Sequence, residues 1–274
     1  GVLGGTNMEI VAFDNKISPK ESLIQLQVAI DQGIRYIAQG NSSGVANAIT
    51  EAVNKHNRRN PDNRVLFLNY AAVDPALTND KCNFWHFRFD ANSDIKMDAL
   101  TDIMAGDENM KKVYLIGQDY SFGQAVAAGA ERMLAAKRPD IEIVGNELHP
   151  IGQVQDFTPY ARNVKASGAD ALITGNWGGD MVNLGKAILE ADLGIPVYTY
   201  YAAADGITGL FGEAGDGGQV RCQNFDRVGG RDVGAVDGDA GRRGGDETQQ
   251  VGQDRARLSR HREAELSHPV RARS

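Results

Sequence analysis

Short runs of β-branched and apolar residues alternate with longer stretches of helical period from Met8 to about Tyr200. That alternation is the mark of a parallel sheet with crossover helices, because each strand must return to the same edge before the next can pair. The runs predict strands over Glu9 to Phe13, Arg35 to Ala38, Val65 to Asn69, Lys112 to Ile116, Ile141 to Val144, Ala171 to Thr174 and Pro196 to Thr199. The 3.6-residue pattern predicts helices over Lys20 to Gln32, Gly44 to Asn57, Ile95 to Met104, Phe122 to Ala136, Thr158 to Ala166 and Met181 to Ala191. Asp156 can cap the fifth of these, whose first turn holds Pro159, and Ser167-Gly168 can end it.

The pattern stops near Gly212. Residues 213–274 are rich in Gly and Arg and hold neither Lys nor Ile, too few apolar groups to offset the entropy of ordering. Two expectations follow for this segment: a disordered tail, or the product of a reading-frame shift between Gly217 and Arg221, since out-of-frame reading of a GC-rich gene yields Arg, Gly, Ala and Asp.

Composition narrows the function. At 42% hydrophobic and 24% charged, the 274 residues can bury a sizeable core. A net charge of −7 argues against nucleic acid or anionic membrane as partner, since these are held by excess Lys and Arg. Cys82 and Cys222 make neither a disulfide framework nor a thiolate metal site. No phosphate-binding or dinucleotide glycine loop occurs, and no His or Cys pair has metal-ligand spacing, so no cofactor and no metal are expected.

In open parallel sheets ligands sit beyond the carboxyl ends of the strands, so the residues just after each strand are the candidates. Gln39-Gly40-Asn41-Ser42-Ser43-Gly44 opens a helix and offers hydroxyls and free N–H groups suited to a carboxylate, although Ser42 or Ser43 serves equally as a simple cap. Asn69-Tyr70-Ala71-Ala72 allows close approach to backbone. Gly117 to Gly123 supplies aromatic walls in Tyr120 and Phe122. Gly175-Asn176-Trp177-Gly178-Gly179-Asp180 adds a ring and an acid, and Tyr200, Tyr201 and Asp205-Gly206 follow the last strand. Asp180 is also placed to cap a helix and Asp205-Gly206 to form a turn. Together these ends describe a pocket for a zwitterion with an apolar or amphipathic side chain: donors for its carboxylate, carboxylates or aromatic faces for its ammonium.

The same stretches resemble the type I periplasmic solute-binding proteins of branched-chain amino-acid and amide ABC transporters, over about Gly1 to Gly212. Val11-Ala12-Phe13-Asp14-Asn15 through Pro19 is similar to the family's second strand and loop, and Asn41-Ser42-Ser43-Gly44 to its Ser-rich turn. Asn69 through Thr78 resembles a small-residue segment ending in Asn-Pro-x-Leu-Thr, Phe84 to Asp90 an aromatic-Arg strand, and Tyr120-Ser121-Phe122-Gly123 a loop that often contains Tyr-Gly. The resemblance implies a two-lobed α/β fold, each lobe a parallel sheet flanked by helices, with a first lobe over residues 1–107 lacking its opening strand and helix and a second lobe over residues 108–212. It implies a periplasmic, monomeric, non-enzymatic carrier that closes by a hinge on its ligand and delivers it to a membrane permease. It implicates Ser42, Ser43, Ala71, Val73, Phe122, Asp180 and Asp205 in the site, with Tyr120, Trp177 and Tyr201 closing over it. Val73 stands where a Thr hydroxyl is common, Phe122 where Tyr is, and Asp180 where an aromatic is frequent. These departures favour a polar amino acid, an amide or a urea-like compound as ligand. With the family's signal peptide and its return to the first lobe also missing, exposed sheet edges and apolar surface predict a poorly stable chain.

Two rivals stand beside this. A ligand-sensing domain of a receptor or regulator shares the fold. Gly40-Asn41-Ser42-Ser43-Gly44 also matches the G-x-S-x-G pattern of serine hydrolases, which would need His56, His86 or His149 as a base for Ser42.

Overall fold

The computed structural model describes residues 2, 3, 5–201 and 220–222. It has ten strands and six α-helices among these residues. A two-stranded antiparallel ribbon, β1 (Val2–Leu3) with β2 (Thr6–Asn7), opens the described residues. Met8 to Asn15 then runs without strand structure, against the strand expected over Glu9 to Phe13. Its alternation is present, but no neighbouring strand pairs with it among the described residues, and Ile10 is 87% exposed. A strand needs its partner's hydrogen bonds as well as its own pattern.

The first lobe is built on β3 (Tyr36–Gln39), β4 (Leu66–Asn69) and β5 (His86–Arg88), parallel and in that order. Helices α1 (Pro19–Asp31) and α2 (Ser43–Arg59) and a 3-10 turn at Pro75–Thr78 accompany it. Ser18 caps α1 by accepting the Glu21 N–H, with Pro19 at the first helical position, where its missing N–H costs nothing. Leu26, Val45, Ile49, Val53, Phe67 and Leu77 form the core beneath these helices. The opposite row of the sheet, Tyr36, Leu66, Leu68 and Phe87, carries no helix among the described residues, and Tyr36 is 72% exposed.

The second lobe is a five-stranded parallel sheet in the order β10-β9-β8-β6-β7, made of β6 (Lys112–Gln118), β7 (Glu142–His149), β8 (Ala171–Thr174), β9 (Val197–Thr199) and β10 (Val220–Cys222). Strand alternation sends Val113, Leu115, Ala171, Ile173 and Tyr198 to one face, against α3 (Ser93–Ala105) and α4 (Ser121–Lys137). Tyr114, Ile116, Leu172 and Val197 go to the other, against α5 (Thr158–Ser167) and α6 (Gly178–Glu190). Both faces are therefore dry, as parallel strands require. Asp156 accepts the Thr158 N–H at the start of α5, and Gly168 ends it in the left-handed conformation at φ 67°.

Two details bear on the expected division of the chain. Met97, Leu100 and Met104 of α3, which precedes the boundary expected after residue 107, sit in the cluster against the five-stranded sheet, and Phe89–Asn92 links β5 to α3. Strand β10 lies inside the segment 213–274, where no strand is expected from the sequence; the rest of that segment is outside the described residues.

Candidate functional site

The carboxyl ends of β3, β4, β6, β8 and β9 carry the five polar turns, and the local sequence explains their shapes. After β3, Gly40 lies so close to the β4 turn that an added Cβ would stand 2.5 Å from the Ala71 nitrogen; no side chain fits there. After β4, buried Asn69 accepts the N–H groups of Ala71 at 3.2 Å and Ala72 at 2.8 Å and donates to the Ala72 carbonyl, which folds the small-residue turn around one side chain. Ser42 precedes α2 with φ 109°, a region that non-glycine residues rarely occupy. Its hydroxyl makes no capping bond to the helix, so strain and an unused hydroxyl coincide at one residue. Ser43 is buried, and its Oγ accepts the Asp74 N–H at 3.2 Å.

On the second lobe, Tyr120 and Trp177 meet across two strand ends: the indole Nε1 donates to the Tyr120 oxygen at 2.8 Å. Burial pushes the Tyr120 phenol well above its ordinary value, with Asp74 and Asp180 adding to the rise and the bond from Trp177 opposing it, so the group is a neutral hydroxyl. Tyr120, Phe122 and Tyr201 make a continuous aromatic row, with ring centroids 5.8 and 6.1 Å apart. Asp180 is 4% exposed; its Oδ2 accepts the Gln118 Nε2 at 2.7 Å and the Gly152 N–H at 2.9 Å.

The lobes meet where α2 and α4 begin. Asn47 of α2 donates to Asp74 Oδ2 at 3.0 Å and to Ser121 Oγ of α4 at 3.5 Å, and a Cβ at Gly44 would stand 3.9 Å from the Tyr120 ring. The structure thus brings Ser42, Ala71, Tyr120, Trp177 and Tyr201 to this edge with partial exposure. Ser43, Val73, Phe122 and Asp180 stand behind them, buried; Val73 and Phe122 are each 2% exposed within the second-lobe core. Asp205 lies outside the described residues. Asn47, Asn69, Asp74 and Gln118, which orient the turns, were not singled out from the sequence. Their only signal there is a polar residue at a strand end or on the buried stripe of a helix.

The arrangement offers donors and aromatic faces. It does not assemble a hydrolytic triad among the described residues. His56 lies on α2 some thirteen residues beyond Ser43, about 20 Å along the axis, and bonds the Asn63 carbonyl. His86 is bonded by Asn69 and His149 by Asn176, each buried in its own sheet. No cluster of three His, Cys, Asp or Glu suited to a metal occurs among the described residues, and no helix there is long and apolar enough to cross a membrane.

Comparison with known proteins gives four matches. Residues 1–252 match the family described as "Periplasmic binding protein". The chain is 35% identical over 220 residues to Leu/Ile/Val-binding protein homolog 4 of Brucella abortus, covering 79% of this chain and 52% of that protein. Among solved structures, a leucine-, isoleucine-, valine-, threonine- and alanine-binding protein from Brucella ovis in its closed conformation superposes with a TM-score of 0.65 at 34% identity, over 77% of this chain and 54% of that one. A solute-binding protein of an R. palustris ABC transporter in complex with benzoate superposes with a TM-score of 0.72 at 20% identity, over 83% of this chain and 61% of that one. The chain spans about half the length of the curated relatives it matches.

Proposed function

This chain belongs to the periplasmic binding protein family, and on that premise we propose that it captures a small solute carrying a carboxylate on an apolar or aromatic body and passes it to an ABC-transporter permease. Strained Ser42 carries this reading. Its uncapped hydroxyl stands beside the first N–H groups of α2, where the helix dipole and orphan donors favour an anion. The partly exposed rings of Tyr120, Trp177 and Tyr201 supply the apolar wall. Ser43, Val73, Phe122 and Asp180 support that wall from behind. The names of the relatives fit the same chemistry: leucine, isoleucine, valine and benzoate share a carboxylate on an apolar body. Amides and urea-like compounds, which lack the anion, make less use of the α2 terminus.

In this reading the protein is an extracytoplasmic, monomeric carrier without catalysis, and closure of the lobes about Phe89–Asn92 traps the solute. Micromolar affinity corresponds to about 8 kcal/mol, within reach of a carboxylate held by charge-assisted hydrogen bonds in a closed site. Calorimetry against leucine, isoleucine, valine, benzoate, 4-hydroxybenzoate, acetamide and urea tests it. Binding is expected among the carboxylates; heat only from acetamide or urea, or from none of the seven, overturns it.

A further inference from the structure

Asp90 sits on the segment that joins the lobes and is gripped from both. From the first lobe, Arg88 Nε donates to its backbone carbonyl at 3.1 Å, while the same guanidinium bonds the Asp74 carbonyl and Thr78 Oγ1. From the second lobe, Lys96 in the first turns of α3 pairs with its carboxylate at 2.8 Å. The Lys96 side chain is only 7% exposed, and its ammonium also lies 5.5 Å from the centroid of the Tyr201 ring, over the end of β9. One buried cation therefore touches both the crossing segment and the aromatic wall of the cleft.

We propose that Lys96 is a positioning residue that ties the crossing segment to the Tyr201 wall, so that Asp90 moves with the second lobe and the pivot lies on its first-lobe side. An ammonium sealed from water keeps a carboxylate partner, because losing it strands a charge in a poor solvent. The ring face supplies the second contact that water would otherwise give. An interlobe rotation that pulled Asp90 from Lys96 would meet this cost. A rotation at Arg88 and Phe89 instead gives up hydrogen bonds to neutral groups, Arg88 to the Asp90 carbonyl, Phe89 N–H to the Asn69 carbonyl and Ser93 N–H to the Val73 carbonyl, which water can replace, and some packing of Val73, but strands no charge. Burial and the nearby Asp90 charge raise the Tyr201 phenol above its ordinary value, so the ring beside Lys96 stays neutral.

The proposal rests on the hinge-closing reading above but is tested without any solute. Spin labels on exposed Cys82 in the first lobe and on Lys186→Cys on the exposed side of α6, with Cys222→Ser, report the interlobe distance in the full chain. Lys96→Met and Asp90→Asn are expected to broaden the distance distribution at least twofold, and Lys96→Arg to keep the parent width. Parent width in folded Lys96→Met and Asp90→Asn, or equal broadening in Lys96→Arg, overturns the proposal. If Lys96→Met does not fold, Asp90→Asn decides. Failure here leaves the solute reading standing, and a silent calorimetric panel leaves these distances informative.

Discussion

At Ser42 backbone and side chain make opposite demands. A φ of 109° favours glycine, whereas an anion at the start of α2 favours a hydroxyl. Ser42→Gly is expected to raise stability by about 1 kcal/mol through relief of that strain, while both Ser42→Gly and Ser42→Ala weaken solute binding roughly tenfold, or about 1.4 kcal/mol. Urea denaturation and calorimetry read the two effects apart; a Ser42→Gly protein that binds as well as the parent would remove Ser42 from the site. His86 gives a second residue-scale prediction. Its Nδ1–H donates to the Leu77 carbonyl and its Nε2 faces the amide of Asn69, so a second proton would meet a donor. Burial is the main cause that depresses its pKa below 6.5, with Arg88 adding to the effect and the bond to Leu77 opposing it. The folded state therefore refuses a proton that the unfolded state accepts, so this contribution is complete above about pH 6.5 and is lost as pH falls below it. The urea midpoint is expected to drop between pH 7.5 and 5.5, and to drop less in His86→Gln. The residues proposed to touch a solute were singled out from the sequence because they follow strands. Their supports were not: Asn69, Gln118 and Lys96 look like ordinary surface residues until the fold buries them.

At the scale of elements, the helices were legible within a few residues because period and caps agree. Ser18, Asn92 and Asp156 each accept an N–H where their helix begins. Strands β6, β8 and β9 were legible because each is apolar on both faces, whereas Glu9 to Phe13 misled, its pattern being satisfied only where a neighbour exists to pair with it. β10 escaped notice because three residues with a charge in the middle carry no pattern, and its pairing with β9 joins residues 23 apart in the sequence, Val220 to Val197. The joint between β6 and α4 is the tightest in the second lobe. An added Cβ on Gly123 would come within 1.8 Å of the Gln118 carbonyl oxygen and 2.8 Å of its carbon. Backbone cannot yield as a side-chain tip can, so Gly123→Ala is expected to cost about 3 kcal/mol and to shift Tyr120 and Phe122. Melting by circular dichroism checks the first effect and the Trp177 emission the second; an unchanged melt would mean that α4 is free to slide on the sheet.

At the scale of the whole molecule, the two lobes differ in how completely their sheets are covered. The second has five parallel strands with a buried cluster on each face. Among the described residues the first has three, with one helical layer, and leaves Tyr36, Phe87 and Phe89 at 72%, 48% and 71% exposure, while Leu23, Ile24 and Val28 of α1 also face outward. Burial of apolar area is the main favourable contribution to folding, about 25 cal/mol for each Å², so the open face withholds it from one lobe alone. Local opening is governed by the same missing contacts. Amide exchange should therefore be fast in β3, β4 and β5 and slow in β6 and β8, and the exposed aromatic row should bind a hydrophobic dye at temperatures where the second lobe remains folded. The lobes are not independent, since Ser93 N–H bonds the Val73 carbonyl and Val73 packs in the second-lobe core. Loosening of the first lobe should thus reach the Ala71 turn before the Tyr120 and Trp177 wall, and a solute bound across the cleft should slow exchange more in β4 than in β6. Equal protection of the two sheets, with or without solute, would mean that the open face carries no energetic cost.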